Sequence, residues 1–160
     1  MQIRQVEPGD EHAVWNILKP IFRAGKTYCL ARDVSRAEGL RYWSGGNHKA
    51  FVQEDGSQML GTYFLCPNQG GGGAHVANAG FATAAAAQGK GVARAMLAHA
   101  MDTARGIGFR AMQFNFVIST NTRAIALWKS AGFDTVGRLP GAFEHPTDGF
   151  VDALIMYRDL

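Results

Sequence analysis

The sequence predicts one α/β domain, and three of its features support this fold class. Segments with apolar residues at every second position, typical of strands, alternate with segments with apolar residues at every third or fourth position, typical of helices. A glycine-rich turn over residues 88–93 joins a segment of the first kind to one of the second kind. The 160 residues suffice for one domain and no repeat or linker divides them, so we expect a single domain over residues 1–160.

The composition is typical of a water-soluble enzyme. Hydrophobic residues make up 47% of the chain and charged residues 18%, which is too apolar for a disordered segment. The N-terminus does not have the pattern of a signal peptide, and no apolar run approaches the roughly 20 residues that span a bilayer. We therefore expect a cytoplasmic protein with no membrane partner.

The cysteines and the net charge give no indication of a metal site or of nucleic-acid binding. Cys29 and Cys66 are the only cysteines, and their spacing fits neither a zinc site nor a redox motif. We therefore expect reduced thiols, packed as small hydrophobic groups, and no metal. The formal net charge of +3 comes without a basic run, which does not support a nucleic-acid partner, although its sign favours an anionic cofactor.

The first part of the chain predicts a strand followed by two helices. Residues 2–6 alternate as a strand, and a turn over residues 8–10 leads into a helix with Asp10 as its N-cap. The apolar face of this helix consists of Val14, Ile17, Leu18 and Ile21. After a polar stretch, a second helix is predicted from about Ser35 to the glycines at residues 45–46.

The middle of the chain predicts three strands and a loop. Strands near residues 49–53 and 58–66 meet across an Asp-Gly pair, which is typical of hairpin turns. Four consecutive glycines at residues 70–73 predict a flexible surface loop. Residues 75–83 then predict a strand that leads into the glycine-rich turn.

The last part predicts two helices and three strands. One helix covers residues 92–106, and another begins at its cap, Asn121, and ends at the next glycine. The strand between these helices is predicted to carry Met112, Phe114, Phe116 and Ile118 on one face and Gln113, Asn115 and Val117 on the other. Two final strands, at residues 135–138 and 151–157, flank a polar loop over residues 140–148.

The glycine-rich turn QGKGVA, residues 88–93, predicts a phosphate-binding site. A tight turn before a helix leaves several backbone N–H groups without partners, and they converge at the positive end of the helix dipole. A Walker motif is excluded because Lys90 is followed by a glycine instead of a Ser or Thr. A dinucleotide motif is excluded because Arg94 stands at the position of its last glycine and Ala111 at that of its acidic residue.

Two motifs of the chain resemble those of the GNAT superfamily of acyl-CoA-dependent N-acetyltransferases. Residues 88–93 resemble the Q/R-x-x-G-x-G/A signature, which binds the pyrophosphate of coenzyme A, and residues 121–133, NTRAIALWKSAGF, resemble the N-x-x-A-x-x-L-Y-x-x-x-G-F helix. The predicted order β-α-α-β-β-β-α-β-α-β-β is that of the GNAT fold, so the resemblance covers essentially the whole chain. It implies a mixed central sheet, splayed at the acetyl-CoA site, with helices on both faces.

The resemblance implies acetyl-CoA as the co-substrate and assigns the residues that bind it. These are Phe81, Thr83, Gln88, Gly89, Lys90, Gly91, Val92, Ala93, Arg94, Asn121 and Trp128. The two strand residues would act through backbone groups, which bind the pantetheine arm and stabilise charge on the thioester oxygen. Many members have a Tyr at the position of Trp128 that protonates the leaving thiolate, and indole has no such acidity. A thiol of pKa about 8.5 leaves tolerably without this help, so we expect activity and assign no catalytic residue.

A more local resemblance concerns the acceptor. Asn78 and Asn115 lie in predicted neighbouring strands, and burying either without a partner would cost about 1–3 kcal/mol. Judged by the residues alone, one of them could simply satisfy a bulge or a splayed backbone. Together with GTY at 61–63 and PN at 67–68, however, they resemble the yeast-type N-acetyltransferases that detoxify azetidine-2-carboxylate and related proline analogues. In that group the matching asparagines hold the amino-acid carboxylate, which implies a small amino acid or analogue as acceptor, with Tyr28 lining its side of the site.

Two other functions stay open at this point. One is acetylation of a protein N-terminus or lysine, which would need an open groove for a peptide. The other is an acyl-CoA sensor without turnover, which Trp128 makes conceivable. His75, Glu144 and His145 are candidate bases, although each fits a solvated surface position equally well. Similar enzymes are often dimers, so a homodimer is a further expectation.

Overall fold

A mixed sheet with helices on both faces forms the protein, as the computed structural model of residues 1–160 shows. The strands are β1 (Gln2–Gln5), β2 (Lys49–Asp55), β3 (Gln58–Pro67), β4 (Val76–Thr83), β5 (Ala111–Ile118), β6 (Asp134–His145) and β7 (Gly149–Asp159). The helices are α1 (Glu11–Ala24), α2 (Arg36–Ser44), α3 (Val92–Ile107) and α4 (Thr122–Ser130). None of these helices combines the length and the apolar character that crossing a membrane requires.

The seven strands form one sheet in the order β1-β2-β3-β4-β5-β7-β6. Only β4 and β5 pair in parallel, and all other neighbours are antiparallel. One face packs against α3 and α4 through a core that includes Tyr63, Met96 and Phe114. The other face packs against α1 and α2 through a second core around Leu18 and Trp43. The predicted mixed sheet with helices on both faces is therefore confirmed.

The central parallel pair separates after two paired positions. Val76 lies opposite Ala111 and Ala77 opposite Met112, and beyond them no residue of β4 pairs with β5. Hydrogen bonds from Ala84 N to Leu60 O and from Asn68 N to Val76 O lie at the two ends of the β3–β4 ladder. Since paired positions alternate along an antiparallel ladder, this register directs the backbone groups of the odd-numbered residues of β4 away from β3 and into the gap. The splay that the resemblance implied is present.

The start of α1 differs from the prediction in one respect. Asp10 occupies the N-cap position but makes no side-chain cap hydrogen bond. Its carboxylate is bound by Arg4, with Nη1 to Oδ2 at 2.7 Å, and it also accepts a hydrogen bond from the backbone N–H of Glu7. The bond from Arg4 lowers the pKa of Asp10 and ties β1 to the start of α1. Ser35, by contrast, caps α2 and forms a capping box with Glu38, so this helix begins where the sequence predicts.

The predicted loop over residues 140–148 is wrong, because strands β6 and β7 extend into it and leave a turn over residues 146–148. Here β6 is an edge strand whose residues are mostly exposed, so its polar sequence resembles that of a loop. The glycines at 70–73 also differ from the predicted open loop, since Gly71–Gly73 forms a short 3₁₀ turn.

The predicted alternation along β5 holds only as far as Asn115. The register of β5 against β7 shifts between Phe114 and Val117, so one extra residue bulges out of β5. Val117 therefore joins the core that contains Phe114, while Phe116 turns away from that core and packs near Phe143 at 6.3 Å between ring centroids. Phe116 and Val117 have exchanged the faces that simple alternation predicts.

A buried hydrogen-bond relay fixes α2 to the sheet. Trp43 donates from its indole N–H to the hydroxyl of Thr62 at 3.0 Å, and Thr62 donates to the backbone carbonyl of Phe51 at 2.8 Å. Trp43 and Thr62 are fully buried, so neither group can turn to water for a replacement. The relay also supports Tyr28, whose ring packs edge-on against Trp43 at 5.7 Å.

Thr62→Val is expected to lower the free energy of unfolding by about 1–3 kcal/mol, because it leaves the Trp43 indole N–H buried without an acceptor. Urea unfolding, followed by tryptophan fluorescence, measures the loss. Thr62→Ser keeps the hydroxyl and serves as the control, with a clearly smaller loss expected. Equal losses in the two variants would show that the methyl group of Thr62 matters more than the relay.

Candidate active site

The glycine-rich turn presents a group of free backbone donors at the start of α3. Gly89 and Gly91 have positive φ angles of 76° and 80°, which only glycine adopts without strain. The first helical hydrogen bond of α3 runs from Ala95 N to Gly91 O. The N–H groups of residues 92–94 therefore have no partner in the helix. The N–H groups of Gly89 and Gly91 make no backbone hydrogen bond either. Five donors at the positive end of a helix thus form an anion site.

Lys90 differs from the other residues of the turn, because it does not line the cavity beside the turn. Its backbone N–H is bound to the carbonyl of Ala87, at 3.4 Å, and its side chain is exposed outside the cavity. The positive charges that line the cavity are those of Arg94, on the first turn of α3, and Arg123, on the first turn of α4. Both can attract phosphate groups toward the turn.

A cavity of about 860 Å³ extends from this turn through the gap between β4 and β5. All the residues predicted to bind coenzyme or acceptor line it, with the exception of Lys90. Asn78 and Asn115 lie on the face of the sheet that carries α1 and α2, because Ala77 and Ala79 beside Asn78, and Phe114 before Asn115, point into the core under α3 and α4. The cavity therefore opens toward both faces, with the anion site at one end and the two asparagines at the other.

Three aromatic rings close the wall of the gap on the side of α4. Trp128 packs against Phe81 at 5.2 Å and against Phe114 at 4.8 Å between ring centroids. Trp128 is buried and belongs to the core under α3 and α4. Asn121 caps α4 with its Oδ1, which accepts from Ala124 N at 3.4 Å, and its amide nitrogen makes no hydrogen bond within the protein. The amide nitrogen is therefore available to a ligand in the cavity that Asn121 lines.

Tyr28 connects the segment between α1 and α2 to the free edge of β4. Its hydroxyl donates to the backbone carbonyl of Phe81 at 2.7 Å, and its ring packs edge-on against Phe22. Burial raises the pKa of Tyr28 well above its usual value, so the hydroxyl stays protonated and acts as a donor. Tyr28 occupies the carbonyl of Phe81, so the N–H is the backbone group of Phe81 that stays free toward the gap.

The two asparagines contact two residues that the sequence analysis did not single out as ligands. Asn78 donates from Nδ2 to the backbone carbonyl of Gln113 at 2.9 Å, across the point where the strands separate. Asn115 accepts at Oδ1 from Gln113 Nε2 at 2.9 Å and donates from Nδ2 to Asn68 Oδ1 at 2.6 Å. Asn68 is part of the local resemblance at residues 67–68, whereas nothing in the sequence indicated a role for the side chain of Gln113.

The cavity wall contains no carboxylate and no imidazole. Glu144 and His145 line a neighbouring cavity of about 490 Å³, which shares Tyr28 and Cys29 with the first, and His75 lines neither. Cys29 is exposed at this junction and not packed in a core as predicted, while Cys66 is buried, and both are free thiols. Thr27 lines the first cavity next to Tyr28, and its buried hydroxyl has no hydrogen-bond partner.

The sheet opens beside an anion site at the start of a helix, and the free edge of β4 lies between the opening and the anion site. This combination defines the class of acyl-CoA-dependent N-acetyltransferases. The anion site suits a pyrophosphate and the free edge of β4 suits the amide groups of a pantetheine arm.

Comparisons with known proteins identify the family. Residues 12–133 match the model of the "Acetyltransferase (GNAT) family", so the chain belongs to this family. Acetyl-CoA is accordingly its co-substrate.

Three individual proteins illustrate the similarity. The chain is 32% identical over 100 residues to N-acetyltransferase aca1 of Schizosaccharomyces pombe, an alignment that covers 62% of this chain and 48% of aca1. The chain thus spans about half the length of this relative. A GCN5-related N-acetyltransferase from Kribbella flavida superposes with a TM-score of 0.94 and 41% identity over 99% of this chain and 97% of that one. The putative acetyltransferase yncA from Salmonella typhimurium, solved with its cofactor acetyl-CoA, superposes with a TM-score of 0.86 and 22% identity over 100% of this chain and 94% of its own.

Gly91→Asp is expected to weaken acetyl-CoA binding about 100-fold relative to Gly91→Asn, because two like charges about 5 Å apart near a protein surface repel by roughly 3 kcal/mol. Asp and Asn have nearly the same shape, and both tolerate the left-handed backbone at this position. Titration calorimetry with acetyl-CoA measures both affinities. Similar affinities in the two variants would show that the pyrophosphate lies elsewhere.

Trp128→Tyr is expected to leave the rate of thiol release similar or higher, because tyrosine keeps most of the aromatic packing against Phe81 and adds an acidic hydroxyl. Trp128→Phe is the matched control, since it keeps an aromatic ring but adds no acid. Steady-state kinetics of thiol release decide the outcome. Complete loss of activity in both variants would show that the indole itself shapes the site.

Proposed function

We propose that this protein transfers the acetyl group of acetyl-CoA to the amine of a small amino acid or amino-acid analogue, including cyclic secondary amines. The observation that carries this proposal is the pair Asn78 and Asn115 at the acceptor end of the cavity, where no charged side chain is present. Amide groups can bind the carboxylate of an amino acid by hydrogen bonds without immobilising it in a salt bridge. The local resemblance to enzymes that acetylate proline analogues supports the same acceptor.

The chain positions the coenzyme through its backbone. The five N–H groups around Gly89 and Gly91 would hold the pyrophosphate, and the odd-numbered residues of β4 would bind the pantetheine arm as an added strand. Acetyl-CoA supplies an activated thioester when it is bound there. The N–H of Phe81 faces the gap and can stabilise the negative charge that develops on the thioester oxygen.

The acceptor end is shaped for a small molecule. The segment that carries Thr27 and Tyr28 crosses the face of the sheet and is held there by the bond to Phe81. The same segment would obstruct a long peptide across this part of the gap. The free hydroxyl of Thr27 offers one more hydrogen bond to an acceptor.

The transfer would be direct, from thioester to amine. Cys29 lies at the cavity wall, but desolvation raises the pKa of its thiol and no base lines the cavity to activate it. A covalent acetyl-cysteine step is therefore disfavoured. Holding a neutral amine and the thioester in one cavity supplies the proximity, and a water molecule can accept the proton that the amine loses.

One screen tests the proposal. Purified protein and acetyl-CoA are incubated with a panel of amino acids, proline analogues, N-terminal peptides and lysine peptides, and free coenzyme thiol is followed. Release with small amino acids or proline analogues supports the proposal, and release with peptides alone contradicts it. Binding of acetyl-CoA without release for any amine would instead identify a sensor.

Asn115→Ala is expected to raise the KM for the acceptor about tenfold while the KM for acetyl-CoA changes less than about twofold, because the carboxylate contact is lost and the backbone groups that would hold the coenzyme stay in place. Asn16→Ala, an exposed position on α1 outside the cavity, is the control and should change neither. Initial rates over a grid of both substrates separate the two constants. Equal increases in both KM values would remove the carboxylate contact from the proposal.

A further inference from the structure

We infer that Gln113 and Asn68 are positioning residues, which hold the amide of Asn115 with its free N–H toward the gap and so make the site prefer acceptors with a carboxylate over their neutral carboxamides. This inference rests on the proposed function, since it names the groups that tune the acceptor end of the same cavity.

The three side chains form a continuous chain of amide hydrogen bonds. Gln113 Nε2 donates to Asn115 Oδ1 at 2.9 Å, and Asn115 Nδ2 donates to Asn68 Oδ1 at 2.6 Å. Each bond joins a nitrogen to an oxygen, so the direction is the same along the whole chain. One hydrogen on Asn115 Nδ2 remains without a partner in the protein.

The strand order determines where the two ends of the Asn115 amide point. Gln113 precedes Asn115 by two residues on β5, so the oxygen of Asn115 is directed back along its own strand. Asn68 follows β3, which lies on the other side of β4, so the nitrogen of Asn115 is directed across the gap. The end of the amide over the cavity is therefore the donor end.

Rotating the Asn115 amide alone by half a turn is unfavourable. Two N–H groups would then face each other at Gln113, and two oxygens would face each other at Asn68. Both hydrogen bonds would be lost, each of which contributes about 0.5–1.5 kcal/mol. The Asn115 amide can reverse only if the amides of Gln113 and Asn68 reverse with it. The donor and acceptor groups of these two neighbours therefore determine the orientation of Asn115.

This orientation has a consequence for selectivity. The free N–H of Asn115 and that of Asn78 can bind both oxygens of a carboxylate, whereas a carboxamide offers them one oxygen and an NH₂ group that cannot accept. A binding site rejects a ligand that leaves the polar groups of the site unpaired, and this rule favours the carboxylate here. A site with the Asn115 oxygen over the gap would instead favour the carboxamide.

A matched pair of variants tests this. Gln113→Glu can only accept at Asn115 and so favours the reversed amide, whereas Asn68→Asp can only accept from Asn115 Nδ2 and so keeps the present orientation. Both variants add one negative charge beside the same side chain, so a general charge effect on the acceptor is shared by the two. The difference between them reports the orientation of Asn115.

The measured quantity is the ratio of kcat/KM for azetidine-2-carboxylate to that for azetidine-2-carboxamide, from thiol release. We expect Gln113→Glu to lower this ratio at least about tenfold below that of Asn68→Asp, which corresponds to about 1.4 kcal/mol. A neutral variant, Gln113→Met, should raise the KM for the carboxylate severalfold with kcat and the KM for acetyl-CoA nearly unchanged. These unchanged constants also show that the variant is folded.

Failure of the inference and failure of the proposed function are distinguishable. Wild-type protein that releases thiol with neither compound nor with any small amino acid or proline analogue of the screen, or that shows no preference for the carboxylate, contradicts the proposed acceptor and with it this inference. Wild-type protein that prefers the carboxylate, together with equal ratios in Gln113→Glu and Asn68→Asp, leaves the acceptor intact and overturns the positioning role alone.

Discussion

The structure depends on the backbone groups that β4 leaves unpaired when β5 turns away from it. A strand in the middle of a sheet normally satisfies every N–H and C=O on both sides, and burying unpaired ones is costly. Here two paired positions, Val76 with Ala111 and Ala77 with Met112, are followed by a gap. The side chain of Asn78 replaces one lost strand bond by binding the carbonyl of Gln113, and the hydroxyl of Tyr28 occupies the carbonyl of Phe81. What remains unpaired is the edge that a pantetheine arm can complete.

The two ends of the cavity are built onto this gap by different features. The anion site exists because two glycines with positive φ angles turn the chain from β4 into α3 within a few residues. The acceptor end exists because Tyr28 and Trp43, packed edge-on, hold the segment between α1 and α2 against the opposite face. The buried relay from Trp43 through Thr62 to the sheet in turn fixes α2. The aromatic cluster that fixes α2 therefore also holds Tyr28 at the wall of the cavity.

The sequence predicted the order of elements and the coenzyme end of the cavity because both depend on local patterns. Periodicity locates α3, and the glycines at 89 and 91 specify their own backbone conformation. The errors arise where tertiary contacts override local preference. The edge strand β6 is exposed and therefore has the polarity of a loop. The carboxylate of Asp10 binds Arg4 instead of capping α1. The bulge in β5 places Phe116 and Val117 on the faces opposite to those predicted. The contact of Lys90 with the coenzyme stays a prediction that its exposed position does not favour.

The passage of the cavity through the sheet has a consequence for the order of events in a turnover. A coenzyme lying against α3 and an amine lying under α1 and α2 reach the gap from opposite faces, so neither blocks the entrance of the other. Both can be present together in a ternary complex. Kinetics of the sequential type then follow from the architecture, because the amine can bind beside intact acetyl-CoA and no product has to depart before the amine arrives.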